Sequence, residues 1–159
     1  EAGVERAFTK LDQLRPHLVW WTAGAQPPQL LASGEVAMAS AYNGRISAAN
    51  KNDGRNFAIV WTNSLYTIDY WVIMKDTPHR DTAYAFLAFV GQPAMQAQLP
   101  PRIPYGVPLK AAAAQIAPEV ERDLPTNEAN IANALHINDA FWLENIDRLT
   151  QRFNAWAAR

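Results

Sequence analysis

The chain has 159 residues, enough for one domain with a sizeable core, and 49% apolar against 18% charged residues is the profile of an ordinary globular protein, not a disordered or fibrous one. The 14 basic and 15 acidic residues leave a net charge of −1 with no basic block, so nucleic acid finds no electrostatic footprint, and the apolar stretches fall far short of the ~20 residues a membrane-spanning helix needs. With no cysteine, a thiol nucleophile, a cysteine-ligated zinc and a disulfide framework are all excluded. The chain opens on Glu1-Ala2-Gly3-Val4-Glu5-Arg6, a charged start without a signal-peptide pattern, so an exported protein would carry its targeting segment elsewhere.

Val4, Ala7, Phe8, Leu11 and Leu14 share one stripe, which predicts a helix over 4–15 ended by Pro16. His17-Leu18-Val19-Trp20-Trp21 reads as a short buried strand and Thr22-Ala23-Gly24-Ala25 as a turn. Gln26 to Ser33 reads as a helix that tolerates Pro27 and Pro28 in its first turn, with Gly34 as its C-cap. Val36–Tyr42 is the next expected strand, Asn43-Gly44 a turn, Arg45–Asn50 a short helix and Phe57–Trp61 a third strand. Strands alternating with helices over short links argue for a parallel α/β sheet. Further on, Tyr66–Met74 reads as extended, 79–90 as a helix with Ala83, Phe86, Leu87 and Val90 inward, and 93–99 as a short helix. Pro100, Pro101, Pro104 and Pro108 make a connector that cannot be regular helix, and 109–137 carry mixed helical signals. In Asp139–Ala158 the residues Trp142, Ile146, Leu149, Phe153 and Trp156 recur at helical spacing, a strong amphipathic helix.

Catalytic signatures are missing. There is no GxGxxG, GxxxxGK[ST], HExxH or GxSxG, and His17, His79 and His136 lack metal-ligand spacing, so neither a metal nor a cofactor is expected.

The segment Gln29-Leu30-Leu31-Ala32-Ser33-Gly34-Glu35-Val36 through Tyr42-Asn43-Gly44-Arg45 resembles the spermidine/putrescine-type periplasmic solute-binding proteins of ABC importers. Ile68-Asp69-Tyr70-Trp71-Val72-Ile73 is similar to the stretch where that family crosses between lobes and presents an acidic residue to a ligand amine. Helix 79–90 with Gln92-Pro93-Ala94, Tyr105 in Ile103-Pro104-Tyr105-Gly106-Val107-Pro108, and the terminal Phe141-Trp142 and Asn154-Ala155-Trp156 extend the likeness in order along nearly the whole chain. The resemblance implies a partial type II periplasmic-binding-protein fold, α/β with a parallel sheet flanked by helices. Residues 1–66 would form part of the second lobe, and 67–159 the crossover and the return into the first. It further implies a periplasmic, non-enzymatic protein that captures a small solute, hands it to ABC permease subunits, and has its N-terminal half outside this sequence.

Five residues are then expected at the ligand. A buried ammonium requires an acidic mate, and Asp69 fits as an ammonium clamp, or else as a strand-end cap on a turn. Tyr42 would stack on the ligand or pack the core, with cation–π attraction of roughly 0.5–2 kcal/mol for a good contact. Tyr105 either borders the ligand or pins its loop. Trp20 and Trp21 face opposite sides of a strand, so one of them, Trp21 in this reading, looks into the cleft, where Thr22 and Gln26 offer hydrogen bonds. Arg45 departs from the polyamine pattern, since a guanidinium repels a diamine and welcomes a carboxylate. The expected ligand is a polyamine, with a zwitterionic amino acid as the alternative. A small α/β enzyme using Asp69 as general base near Tyr105 is a third reading.

Overall fold

The computed structural model describes all 159 residues, as two compact units, Glu1–Ile59 and Val60–Arg159. In the first unit, α1 (Ala2–Leu14) is followed by a 3-10 turn at Arg15–His17, then α2 (Gln26–Ser33) and α3 (Asn43–Asn52). Proline is accepted in the first turn of α2 because the N–H it lacks has no intrahelical partner there, and Pro27 is buried. Gly34 closes the helix in the left-handed region at φ 75°, a conformation that costs glycine nothing. Asn43-Gly44, expected as a turn, instead forms the first turn of α3, with the Tyr42 carbonyl accepting from the N–H groups of Arg45 and Ile46. Gly44, Ile46 and Ala49 make the buried face of α3.

The three strands expected over 17–21, 36–42 and 57–61 do not form. His17 belongs to the 3-10 turn, and the rest of these segments lies outside any strand. Strand geometry is stable only when a neighbour about 4.8 Å away accepts and donates its backbone hydrogen bonds. None of these segments has such a neighbour in this chain. At Phe57 a side chain takes the neighbour's place: Asn50 Nδ2 donates to the Phe57 carbonyl and Asn50 Oδ1 accepts the Phe57 N–H, both at 2.8 Å.

In the second unit, β1 (Leu65–Tyr66) pairs in parallel with β2 (Leu135–His136), Leu65 opposite Leu135 and Tyr66 opposite His136, whose rings stack at 4.9 Å. The expected strand 66–74 contributes only its first residue to this ladder. The remainder stays unpaired, and most of its apolar side chains are open to solvent, with Trp71 71% and Val72 75% exposed and Ile73 half-buried. Helix α4 (Arg80–Val90) matches the expected span. Ala83, Leu87 and Val90 are half-buried, whereas Phe86 is exposed and meets Trp71 edge-on at 5.3 Å. The one-turn helices α5 (Pro93–Gln96), α6 (Lys110–Ala113), α7 (Pro118–Glu121) and α8 (Glu128–Ile131) follow, and a core of Ala97, Val107, Ala112, Ile116 and Leu124, with Ala113 and Val120 against it, gathers from α6, α7 and the loops beside them. Helix α9 (Asp139–Ala157) starts on Asn138, whose side chain accepts the Phe141 N–H. Its stripe is covered unevenly: Trp156 is buried, while Trp142 and Ile146 are exposed.

The total accessible surface is 12139 Å², against roughly 8000 Å² for a compact monomer of this mass. Exposed apolar side chains occur both in the segments that lack strand partners, such as Trp71 and Val72, and on helices, such as Leu143 and Ile146 of α9. No helix is long and apolar enough to cross a membrane.

The proline-rich connector is held by a close approach rather than by regular structure. A Cβ added at Gly106 would overlap the Thr126 side chain, well inside van der Waals contact. Gly106→Ala is therefore expected to cost about 1–3 kcal/mol, as overpacking does. It should lower the melting temperature in thermal denaturation, and adding Thr126→Ser, which removes the nearest methyl, should recover part of the loss.

Candidate functional site

The structure places Trp21, Tyr42 and Arg45 in the first unit, and Asp69 and Tyr105 in the second. It brings Trp21 and Tyr42 together. Their rings meet edge to face at 6.3 Å and 69°, a favourable aromatic arrangement. Trp21 is half-buried and its indole N–H donates to Ser40 Oγ at 3.2 Å. Tyr42 is the residue immediately before α3, with extended backbone (φ −70°, ψ 127°), and it remains 60% exposed. It is therefore not a core aromatic. One part of its ring rests on the turn at Gly24.

Arg45 is the third residue of α3. Its guanidinium is exposed and has neither a hydrogen-bond nor an ion-pair partner in the chain. A free guanidinium presents a planar fork of donors suited to a carboxylate.

Asp69 is exposed rather than buried, because the strand that was to enclose it has no neighbours. Its carboxylate accepts no hydrogen bond and caps no turn. Tyr105 is half-buried on the Gly106 connector, where its own N–H closes a tight turn onto the Ile103 carbonyl at 2.7 Å. No hydrogen bond joins Asp69 to Tyr105.

Thr22 and Gln26 do not stand ready as hydrogen-bonding groups. Gln26 Oε1 accepts the N–H of Thr22 and of Ala23, each at 2.7 Å, and so fixes the turn ahead of α2. The sequence marked this turn by its glycine, but it gave no signal that Gln26 would close it or that Ser40 and Gly24 would frame the aromatic pair. The Gln26 closure is local, three to four residues along the chain, whereas the contacts of Ser40 and Gly24 with the aromatic pair arise only when segments about twenty residues apart meet. An open hollow in the second unit, lined by Ile73, Met74, Lys75, Asp76, Thr77, Arg80 and Tyr84, contains none of the expected residues.

The helices around unpaired extended segments, the short parallel ladder and the proline-rich connector define a partial type II periplasmic-binding-protein fold. Solved structures of that class superpose on nearly the whole chain. An ABC transporter substrate-binding protein from Bradyrhizobium japonicum matches with a TM-score of 0.82 and 35% identity over 98% of this chain and 48% of its own. A periplasmic binding protein from A. tumefaciens R10, in complex with agropinic acid, matches with a TM-score of 0.80 and 28% identity over 98% of this chain and 49% of its own. Residues 1–126 match the bacterial extracellular solute-binding protein family, and the chain belongs to that family. A gamma-aminobutyric acid-binding protein of Pseudomonas aeruginosa is 50% identical over 157 residues, which are 99% of this chain and 44% of that protein. The chain thus spans about half the length of the relatives it matches.

The Gln26 side chain gives a direct check on the turn beneath the aromatic pair. Gln26→Leu, which leaves the Thr22 and Ala23 N–H groups without their acceptor, is expected to destabilise the protein by about 1–2 kcal/mol. Gln26→Glu, which keeps an acceptor oxygen, should melt within a degree or two of the unaltered protein.

Proposed function

We propose that the protein is the solute-binding component of an ABC importer, and that its ligand is a zwitterionic, amino-acid-like molecule rather than a polyamine. The observation that carries this reading is the exposed, unpartnered Arg45 guanidinium three residues beyond the open ring of Tyr42. A diamine offers that group only like charge. A carboxylate offers it a charge-assisted, two-pronged hydrogen bond. In this reading Arg45 takes the carboxylate, while Tyr42, backed by Trp21, packs along the ligand and adds cation–π attraction. In the second unit, Asp69 is proposed as a partner for an ammonium and Tyr105 as a ring bordering a ligand.

The relatives support the same choice. One is named for gamma-aminobutyric acid, which carries an ammonium and a carboxylate at opposite ends of a methylene chain, and another binds a ligand named as an acid. The role is capture, not turnover. The protein would act in the periplasm, close around its solute and present the closed form to permease subunits, the closure being driven by the ligand's differential affinity for the two states. The division into a second-lobe part, 1–66, and a crossover and return, 67–159, belongs to the same proposal.

Calorimetric titration of the full-length protein tests this reading. Gamma-aminobutyrate should bind more tightly than putrescine or spermidine, and at 100 times its Kd it should add about 2.7 kcal/mol of stability. Arg45→Ala and Asp69→Asn should each weaken it by on the order of tenfold or more, the usual scale for losing a charge-assisted contact. Tighter binding of putrescine, or an Arg45→Ala variant with unchanged affinity for gamma-aminobutyrate, would overturn it.

A further inference from the structure

Gly24 lies in the turn between Trp21 and α2, and its backbone does not need a glycine. Its φ is outside the left-handed region, unlike those of Gly34 and Gly54. What the position needs is the absence of a side chain. A Cβ placed there would stand 3.1 Å from both Cδ2 and Cε2 of the Tyr42 ring, closer than the 3.5–4.0 Å at which carbon atoms attract.

The turn is not free to retreat. Gln26 Oε1 holds the N–H groups of Thr22 and Ala23, and the Gln26 N–H bonds the Ala23 carbonyl at 2.9 Å. The ring cannot simply swing away toward Trp21 either, because that indole is anchored to Ser40 Oγ. The Tyr42 backbone is fixed as well, since its carbonyl receives the first hydrogen bonds of α3. The ring is therefore bounded by the bare backbone of Gly24 and the edge of Trp21, and most of the rest of it is open.

We infer that Gly24 is a positioning residue: by leaving its place empty it sets where the Tyr42 ring is presented to the ligand. The inference rests on the reading that Tyr42 contacts the solute. A methyl at position 24 forces the ring to give by a few tenths of an ångström, and a branched side chain forces it out of its seat.

The test is a double-mutant cycle on the full-length protein, read by calorimetric titration with gamma-aminobutyrate and by melting without ligand. Gly24→Val is expected to weaken binding on the order of tenfold, a loss within the range of one good cation–π contact. Gly24→Ala should weaken it a few-fold and carries the test if the valine variant does not fold. The same losses should appear on a Tyr42→Phe background, since Gly24 meets ring carbons and not the hydroxyl. On a Tyr42→Ala background they should vanish, because no ring remains to displace. Equal losses with and without the ring overturn the inference and make Gly24 merely structural. If Tyr42→Ala weakens binding and the Gly24 variants do not, the inference alone falls. If Tyr42→Ala has no effect, or the unaltered protein does not bind gamma-aminobutyrate, the reading of the site falls and takes the inference with it. A Gly24→Val loss of melting temperature that shrinks on the Tyr42→Ala background then shows that the packing was real even though the site was not.

Discussion

An extended backbone satisfies its N–H and C=O groups only through a neighbour, and this constraint governs the molecule. A helix closes its hydrogen bonds within itself, so α1 to α4 and α9 form wherever their sequence allows. The stretches 18–21, 37–42 and 67–74 have no such recourse, and in this chain only Leu65–Tyr66 finds a partner. The Asn50 amide, which reproduces one donor and one acceptor of a missing strand at Phe57, shows how strongly the backbone demands such a match. The segment that carries Trp71 and Val72 lacks a strand partner, and both side chains are exposed.

That division also determines what the sequence could reveal. Helical periodicity is a local property, and the bounds of α2, α4 and α9 fall within a residue or two of those read from spacing, Pro and Gly. The extended segments were equally visible as apolar runs, but whether a run becomes a strand depends on what lies beside it, which no local pattern encodes. Asn43-Gly44 shows the converse failure. The pair reads as a turn by composition, yet Ile46 and Ala49 draw it into α3 by burying that helix's inner face.

For the candidate site, residue type was legible and environment was not. Arginine at 45 and aspartate at 69 could be singled out by their charge and setting. That both stand without partners in the chain is a fact of three dimensions. The departure at Arg45 from a diamine-binding pattern, visible in the sequence, agrees with kinship to a binder of gamma-aminobutyric acid. Gly24 had no such signature. A glycine kept for space looks the same in sequence as one kept for conformation, and only the ring lying against it tells the two apart.

The two hydrogen bonds between Asn50 and Phe57 tie α3 to the chain that follows it. Tyr42 borders one end of α3, its carbonyl accepting the first N–H groups of the helix, and Asn50 lies near the other, so each end of the helix is hydrogen-bonded to the residues that flank it.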